Sequence, residues 1–425
     1  MKQSRLFTKT SKEMPADADS ANARLLIQAG FVDQLAAGIY SFLPLGHRTL
    51  EKIKTIVREE MDVIGGQEVT LPALTPKEPW TAAGRWTEPG KEVMFQLEGR
   101  SGKEFGLAFT AEELVTPIVK KFANSYKDFP VLVYQITDKF RNEPRAKSGI
   151  LRGREFSMKD LYSFHLSEAD RALFYDKVAE AYHKVFKRCG VPAIYTEADG
   201  GSFGDASHEF QMPTESGEDL IYVNDAKDYA WNREIVEGIK NGDQAPDGSG
   251  TVTEMKAIEV GNIFPLGTKF SAPLDFKVTD ENGVEQTVIM GSYGIGPSRV
   301  MGAMVEAMHD DKGMIWPKNV APYHVHLVSL HSKDEQILNR INSVASELHD
   351  DLITAGVEVL WDDRVGVNPG PKFADADLIG LPLRLVVSEK TLNEDSVEWK
   401  ERAGGEMSLV KLEDIKDQVI AWLAE

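Results

Sequence analysis

Five cations crowd into fourteen residues of an otherwise acidic chain: Arg141, Arg145, Lys147, Arg152 and Arg154. Arginine offers a planar fork of donors that matches the oxygens of a phosphate or carboxylate. A strand–loop–strand arrangement would aim several such forks at one polyphosphate, although a solvated basic hairpin would have the same composition. A second run, Gly291-Ser292-Tyr293-Gly294-Ile295-Gly296-Pro297-Ser298-Arg299, follows a strand and opens a helix. That position favours anions, and the glycines let backbone approach a ligand closely. It is not the dinucleotide fingerprint, because the third glycine and the surrounding βαβ unit are missing. Arg299 falls in the first helical turn, where a cation opposes the helix dipole. Unless it simply reaches solvent, it needs a base to stack on or a phosphate to meet. A third cluster is Phe109-Thr110-Ala111-Glu112-Glu113. Thr110 can cap a helix whose first turn suits both glutamates; the functional reading is that Glu112 pairs with a substrate ammonium.

These residues need a scaffold. Leu50, Ile53, Val57 and Met61 recur at helical steps and predict a helix over 46–63, ended by Gly65-Gly66. A strand follows from Glu68 to Leu71 and breaks at Pro72. Further helices are expected at 112–127, 168–189 and 296–309, and strands at 131–136, 155–164 and 287–293. Clustered strands with longer helices imply an α+β domain with an antiparallel sheet. A Gly- and Asp-rich stretch at 238–250 reads as a surface loop. Beyond Trp316–Pro322 the pattern changes to strand 325–330, helix 333–355, strand 357–361, helix 371–379, strand 383–388 and helix 412–424. Such alternation implies a small α/β domain with a mostly parallel sheet. The expected division is therefore 1–318 and 319–425.

Composition sets bounds. A chain of 425 residues implies more than one core, and 42% hydrophobic with 27% charged residues is a soluble globular balance. There is no apolar leader segment and no apolar run long enough to span a bilayer, so no membrane association is expected. Cys189 is the only cysteine, which fits a cytoplasmic location and, with nine scattered histidines, speaks against structural zinc. A net charge of −19 argues against a general nucleic-acid binder but leaves room for a local basic face.

The order of the motifs decides between these readings. Pro72 after a long helix, then Phe140-Arg141-Asn142-Glu143 with Arg154-Glu155-Phe156, then Gly294-Ile295-Gly296 with Arg299, resembles the three signature motifs of class II aminoacyl-tRNA synthetases. The resemblance runs nearly end to end with the bacterial-type prolyl-tRNA synthetases. It is carried further by Ala37-Gly38-Ile39-Tyr40 to Pro44-Leu45-Gly46, by Ser157-Met158-Lys159-Asp160, by Ser207-His208-Glu209-Phe210 and by Glu259-Val260-Gly261-Asn262-Ile263-Phe264. Lys372-Phe373-Ala374-Asp375-Ala376-Asp377 looks like that family's anticodon-binding domain.

The resemblance implies a class II fold, a six- to seven-stranded antiparallel sheet flanked by helices, followed by the α/β anticodon-binding domain. It implies L-proline, ATP, Mg²⁺ and tRNA(Pro) as substrates and partners, with no zinc. Arg141 would hold the α-phosphate and bridge to the amino-acid carboxylate, Glu143 would read adenine, and Arg152 would meet the outer phosphates. Phe156 and Arg299 would sandwich the base, and Glu259 and Asn262 would complete the nucleotide site, with Glu259 as a magnesium contact. Arg141 and Arg299 would carry the catalysis. Thr110 and Glu112 would bind the imino nitrogen, while Met158, Phe264 and Ser292 would line the ring pocket. Pro72 would lie at a homodimer interface, and Arg364, Lys372 and Arg384 would meet the anticodon. Ala108-Phe109 before Thr110, Asn262 and Pro297 depart from the family's usual residues. Residues 232–255 stand where many relatives carry an editing insertion, so alanine mischarging and a separate trans-editing protein are expected. The alternatives are another synthetase of the subclass, a non-catalytic synthetase-like regulatory or tRNA-binding protein, and a tRNA binder using only its C-terminal domain. The first would need a zinc or histidine-specific signature, and the second tends to lose the ATP-binding arginines present here.

Overall fold

The computed structural model describes residues 1–13, 20–201, 203, 204 and 206–424. They divide into two compact units. One comprises Met1–Asp33, Ser41–Lys52 and Met304–Glu425; the other comprises Gln34–Tyr40 and Ile53–Ala303.

In the second unit, nine strands among the described residues form one sheet. They are β1 (Gln67–Glu68), β2 (Val131–Phe140), β3 (Glu155–His165), β4 (Ile194–Ala198), β5 (Ser207–Pro213), β6 (Asp219–Val223), β7 (Tyr229–Asn232), β8 (Thr253–Gly267) and β9 (Ile289–Ile295), in the order β5-β4-β7-β6-β8-β9-β3-β2-β1. Seven of these pairings, including an extra one between β5 and β8, are antiparallel, while β1–β2 and β4–β7 are parallel. The sheet is thus larger than the expected six to seven strands, because β4, β6 and β7 join its far edge.

Period-2 alternation sorts β3 cleanly. Phe156, Met158, Asp160 and Tyr162 face one side and line a cleft. Lys159 faces the other side, where its Nζ donates to Tyr182 of the helix Glu168–Cys189 that covers it. The helix predicted over 168–189 is observed with those bounds. The helix predicted over 112–127 stops at Phe122, and the strand predicted over 68–71 shortens to Gln67–Glu68. The helix predicted over 46–63 runs Pro44–Val63, with Leu50, Ile53, Val57 and Met61 all buried.

Residues 233–252 fold as turns over a small core of their own, in which Tyr222, Trp231, Ala245 and Val252 are buried.

In the other unit, a five-stranded sheet has Val325–Ser329 paired in parallel with Val359–Asp362 and with Leu383–Val387. Ser396–Glu401 and Ser408–Lys411 then add antiparallel strands, so the sheet is mixed rather than mostly parallel. The helices Glu335–Thr354 and Ile415–Ala424 pack on it, burying Ile341, Ala345, Leu348, Leu352, Ile415, Val419 and Trp422 with Val325, Leu327 and Leu385. Among the described residues, no helix is long and apolar enough to cross a membrane.

Candidate active site

A cleft of about 440 Å³ opens on the β3 face of the large sheet. It gathers every residue that the sequence assigned to nucleotide or amino acid: Thr110, Glu112, Arg141, Glu143, Arg152, Phe156, Met158, Glu259, Asn262, Phe264, Ser292 and Arg299. The sheet register explains the convergence. Ser292 of β9 lies opposite Tyr162 of β3 on one side and Phe264 of β8 on the other, and Gly294 lies opposite Asn262. The β2–β3 hairpin brings Arg141 beside the strand that carries Phe156, with the Arg141 amide donating to the Arg154 carbonyl at 2.8 Å. The turn of that hairpin is pressed against the helix Pro297–Ala307, where a Cβ on Gly302 would come within 2.9 Å of a Leu151 methyl. Only glycine allows this approach.

At the nucleotide end, three guanidinium groups differ in their engagement. Arg299 donates to Glu259 at 2.8 Å, which answers why a cation sits in the first turn of its helix. Arg152 meets Glu143 at 3.1 Å and Glu218 at 3.4 Å, all three on the partly exposed rim. Arg141 has no ion pair among the described residues; its guanidinium lies 5.1 Å from the Phe156 ring centroid. Burial lowers its pKa, more than the Glu259 charge restores, and Arg299 pushes the same way. The Nε groups of both Arg141 and Arg299 are buried without a partner among the described residues. Orphaned charged donors of this kind are costly unless something fills the space beside them.

At the other end, Glu112 is 1% exposed and held from three sides. Thr110 Oγ1 donates to it at 2.6 Å, Ser292 Oγ at 3.1 Å and Arg85 Nη1 at 3.2 Å. Ser292, expected at the ring pocket, therefore also orients the carboxylate. The helix Glu112–Phe122 starts here without a side-chain cap, so Thr110 turns its hydroxyl to Glu112 rather than to the backbone. Neighbouring Tyr162 accepts from the Ala111 amide at 3.0 Å and donates to Asp160 at 2.9 Å.

Sequence reasoning assigned no role to Arg85, Glu209 or Asp219. Glu209 and Asp219 lie in the cleft with Glu259. Burial, then the Glu259 charge, raises the pKa of Glu209 to about 8, and burial raises that of Asp219 as well. Asn262 donates to Glu209 at 3.2 Å, giving that departure from the family pattern a local partner.

The histidines sit apart from this chemistry. His165 Nδ1 bonds Asp170 at 2.6 Å, and His208 stacks on Tyr195 at 4.6 Å.

Of the three cations expected to meet an anticodon, Lys372 does not fit. It is 1% exposed, and its ammonium donates to the carbonyls of Ser329 at 2.7 Å and Asp362 at 3.2 Å. Lys372 ties a helix to the sheet and has no free donor face for RNA. Arg364 is clamped by Asp362 and Asp375, at 2.7 and 2.8 Å. Arg384 pairs with Asp377 at 2.9 Å, lies over Phe373 at 4.7 Å, and lines a second cleft of about 220 Å³ with Lys312, Lys400 and Arg402. Pro72 is exposed.

Comparison with known proteins agrees with this architecture. The family description "tRNA synthetase class II core domain (G, H, P, S and T)" matches residues 95–308, and "Anticodon binding domain" matches 324–422. A proline–tRNA ligase of Rhizorhabdus wittichii is 40% identical over 436 positions, covering 97% of this chain and 98% of its own. One from Geobacillus sp. is 34% identical over 568 positions, covering 99% of each, so this chain is of a short type. The prolyl-tRNA synthetase of Cryptosporidium parvum, solved with L-proline and AMP, shares the fold at a TM-score of 0.77 and 18% identity, covering 95% of this chain and 74% of its own. A chain that aligns along its whole length with such relatives, and that keeps the motif residues around one cleft, belongs to the proline–tRNA ligase family of class II aminoacyl-tRNA synthetases.

Proposed function

We propose that this protein joins L-proline to ATP, releasing pyrophosphate, and then transfers the prolyl group to the 3′ end of tRNA(Pro). One observation carries the reading: a single cleft holds the half-buried guanidinium of Arg141, which has no ion pair among the described residues and a buried Nε without a partner, between a rim of further arginines and the buried carboxylate of Glu112. An anion and an amino-acid cation are the two ligands such ends recognise.

In the first step the proline carboxylate oxygen attacks the α-phosphorus and pyrophosphate leaves. No protein nucleophile is required; the rate comes from positioning and from offsetting phosphate charge. Arg141 holds the α-phosphate and the attacking carboxylate. Arg152, released from Glu143 and Glu218, meets the outer phosphates, and Arg299 with Phe156 grips the base, read by Glu143. Thr110 and Glu112 take the imino nitrogen, while Met158, Phe264 and Ser292 bound the ring. In the second step a ribose hydroxyl of the tRNA attacks the carbonyl carbon and AMP leaves, its phosphate accepting the proton.

Burial first, with the Glu259 charge adding to it, raises the pKa values of Glu209 and Asp219, a cost that a divalent cation held by these carboxylates would relieve. Mg²⁺ bound there would neutralise phosphate charge. Among the described residues no group of three such side chains is arranged to hold a metal ion.

We further infer a division at 318/319, a cytoplasmic homodimer with Pro72 at its interface, Arg364 and Arg384 as the cations nearest the anticodon, and a trans-editing protein that removes alanine from tRNA(Pro). The retained arginines leave the non-catalytic alternative without support. Amino-acid-dependent ATP–pyrophosphate exchange across all twenty amino acids tests the reading. A strong proline signal supports it; no exchange in folded protein overturns it.

A further inference from the structure

Arg85 is the least expected member of the amino-acid end. It precedes Trp86 in the loop that follows the helix Lys77–Ala82, and Trp80 of that helix and Trp86 are buried with Met94 and Phe109. Its backbone amide donates to the Trp80 carbonyl at 2.8 Å. The side chain is only 9% exposed and lies beneath the start of the helix Glu112–Phe122. There a single nitrogen, Nη1, donates to Glu112 at 3.2 Å and to Glu113 at 3.0 Å. Three aromatic rings surround the guanidinium: Phe109 at 4.7 Å, Phe270 at 5.2 Å and Phe203 at 5.3 Å. Phe109 is also the residue that departs from the family pattern, and it stacks on Trp80 at 5.2 Å.

This arrangement has a cost and a reason. Two adjacent buried carboxylates repel each other, and a buried guanidinium is expensive unless paired. Together they are tolerable, and the aromatic faces favour the cation. Yet Glu113 does not reach the cleft: it is fully buried, and its Oε2 has no partner. Burial first, and then the nearby Glu112 charge, raises its pKa to about 7 despite the pull of Arg85. The functional end of the cluster is Glu112 alone.

We infer that Arg85 is a positioning residue for the amino acid: caged by Phe109, Phe203 and Phe270, it pins the Glu112 carboxylate in the orientation that receives the substrate's imino nitrogen. The inference rests on the proline-activation reading above. Arg85 is not among the residues that line the cleft; it acts through Glu112. The charged and titratable groups facing the pair are Arg85 from the loop, Glu112 and Glu113 from the helix, Arg141 from β2's end, and Tyr162 with Asp160 from β3.

The test compares wild type with Arg85→Gln and Arg85→Lys in steady-state ATP–pyrophosphate exchange, with KM for proline and ATP measured separately from pH 6 to 9. Losing one charge-assisted bond to a substrate-binding carboxylate should raise the proline KM by about 10- to 100-fold in Arg85→Gln. The ATP KM should stay within about threefold, because Arg85 shares no hydrogen bond or ion pair with Arg141, Arg152 or Arg299 among the described residues. In Arg85→Gln the proline KM should also worsen toward acid pH, because two neighbouring carboxyl groups without a counter-charge take up a proton more readily. Arg85→Lys should recover part of the loss and flatten that pH dependence.

An Arg85→Gln protein that folds and keeps the wild-type proline KM overturns the inference. So does one in which proline KM, ATP KM and kcat worsen in parallel, as a merely structural role would produce. If Arg85→Gln does not fold, Arg85→Lys decides by the same split between the two KM values. Absence of proline-dependent exchange in the wild type would instead sink the proposed function itself.

Discussion

Replacing Arg141 by lysine isolates geometry from charge at the point where the chemistry is proposed to occur. Arg141 has no carboxylate partner among the described residues, its Nε is buried and unsatisfied, and burial already disfavours its charge. It is a cation held waiting for an anion. Lysine keeps the charge but cannot offer two parallel donors to the α-phosphate and the attacking carboxylate. Two charge-assisted bonds are worth about 1.5–3 kcal/mol each, and an ammonium regains part, so the net loss should be about 3–4 kcal/mol. That is roughly a 10²- to 10³-fold fall in kcat/KM for proline-dependent exchange. The loss should fall mainly on kcat, since the bonds tighten as charge moves onto the α-phosphate. Stability should change by no more than about 1 kcal/mol, because the side chain's recorded protein contact is the Phe156 ring. Urea unfolding and exchange kinetics on the same preparation measure both quantities. Exchange within about threefold of wild type would refute the assignment of Arg141 to the reacting phosphate.

Three other outcomes follow from the same geometry. Alanine lacks two carbons of the proline ring, worth about 0.8 kcal/mol each when buried against Met158 and Phe264, and a pocket of this kind cannot exclude a smaller ligand. Alanine-dependent exchange should therefore be detectable, roughly 10- to 10³-fold below proline; a background-level signal would contradict the relaxed pocket. Lys372→Met should cost about 1–3 kcal/mol in urea unfolding, because the Ser329 and Asp362 carbonyls lose their buried donor while Arg364 still pairs with the Asp362 carboxylate, and tRNA charging in still-folded protein should fall no more than exchange does. A selective rise in the tRNA KM with unchanged stability would return Lys372 to the RNA surface. Glu209→Gln should show a pH-dependent gain in Tm. The folded pKa of about 8 exceeds the ordinary 4.5, so the folded state keeps its proton longer and loses stability as pH rises through that window, by at most about 1.4 kcal/mol per unit. The variant's advantage should be larger at pH 8 than at pH 5, and an equal shift at both values would count against the buried, crowded carboxylate.

How much of this was legible in the sequence depended on whether the signal was periodic, local or neither. The helix Glu168–Cys189 carried a cap at Ser167 and a left-handed glycine at Gly190, and its bounds came out as expected. The strands β4, β6 and β7 span only four or five residues, too short to reveal a period, so the residues themselves gave no sign of them; the resemblance alone implied the strand number. The strand Ser396–Glu401 was readable, since Val397 and Trp399 alternate with Glu398 and Lys400, but the surrounding charges obscured it. Lys372 was readable too: with Ala376 and Ile379 it falls on the buried stripe of its helix, a spacing that marks it as interior. The motif residues that gather in the cleft were legible because each motif is local and marked by its glycines and arginines. Arg85 had no such mark. Its partners Glu112 and Phe203 are far along the chain, and only tertiary packing brings them together.

The overall acidity of the chain looks at first like an argument against a polyphosphate substrate, and the cleft sharpens that problem. Its lining holds three guanidinium groups, from Arg141, Arg152 and Arg299, against eight carboxyl groups, including Glu112, Glu143, Glu209, Asp219 and Glu259. Bare ATP would enter against that charge. Two features change the balance. Arg152 and Arg299 are each paired with a carboxylate, so phosphate can take over a donor that is already oriented rather than order a free side chain. On the proposed reading, Glu209, Asp219 and Glu259 would offset the charge of a divalent cation arriving with the phosphates. The carboxylates would then oppose ATP alone and favour the metal-bound nucleotide. A cleft with excess negative charge would in that case select ATP with its metal and the cationic nitrogen of the amino acid over bare ATP. The net charge of −19, which speaks against indiscriminate nucleic-acid binding, is compatible with this selection because the decisive cations are few, local and pre-oriented.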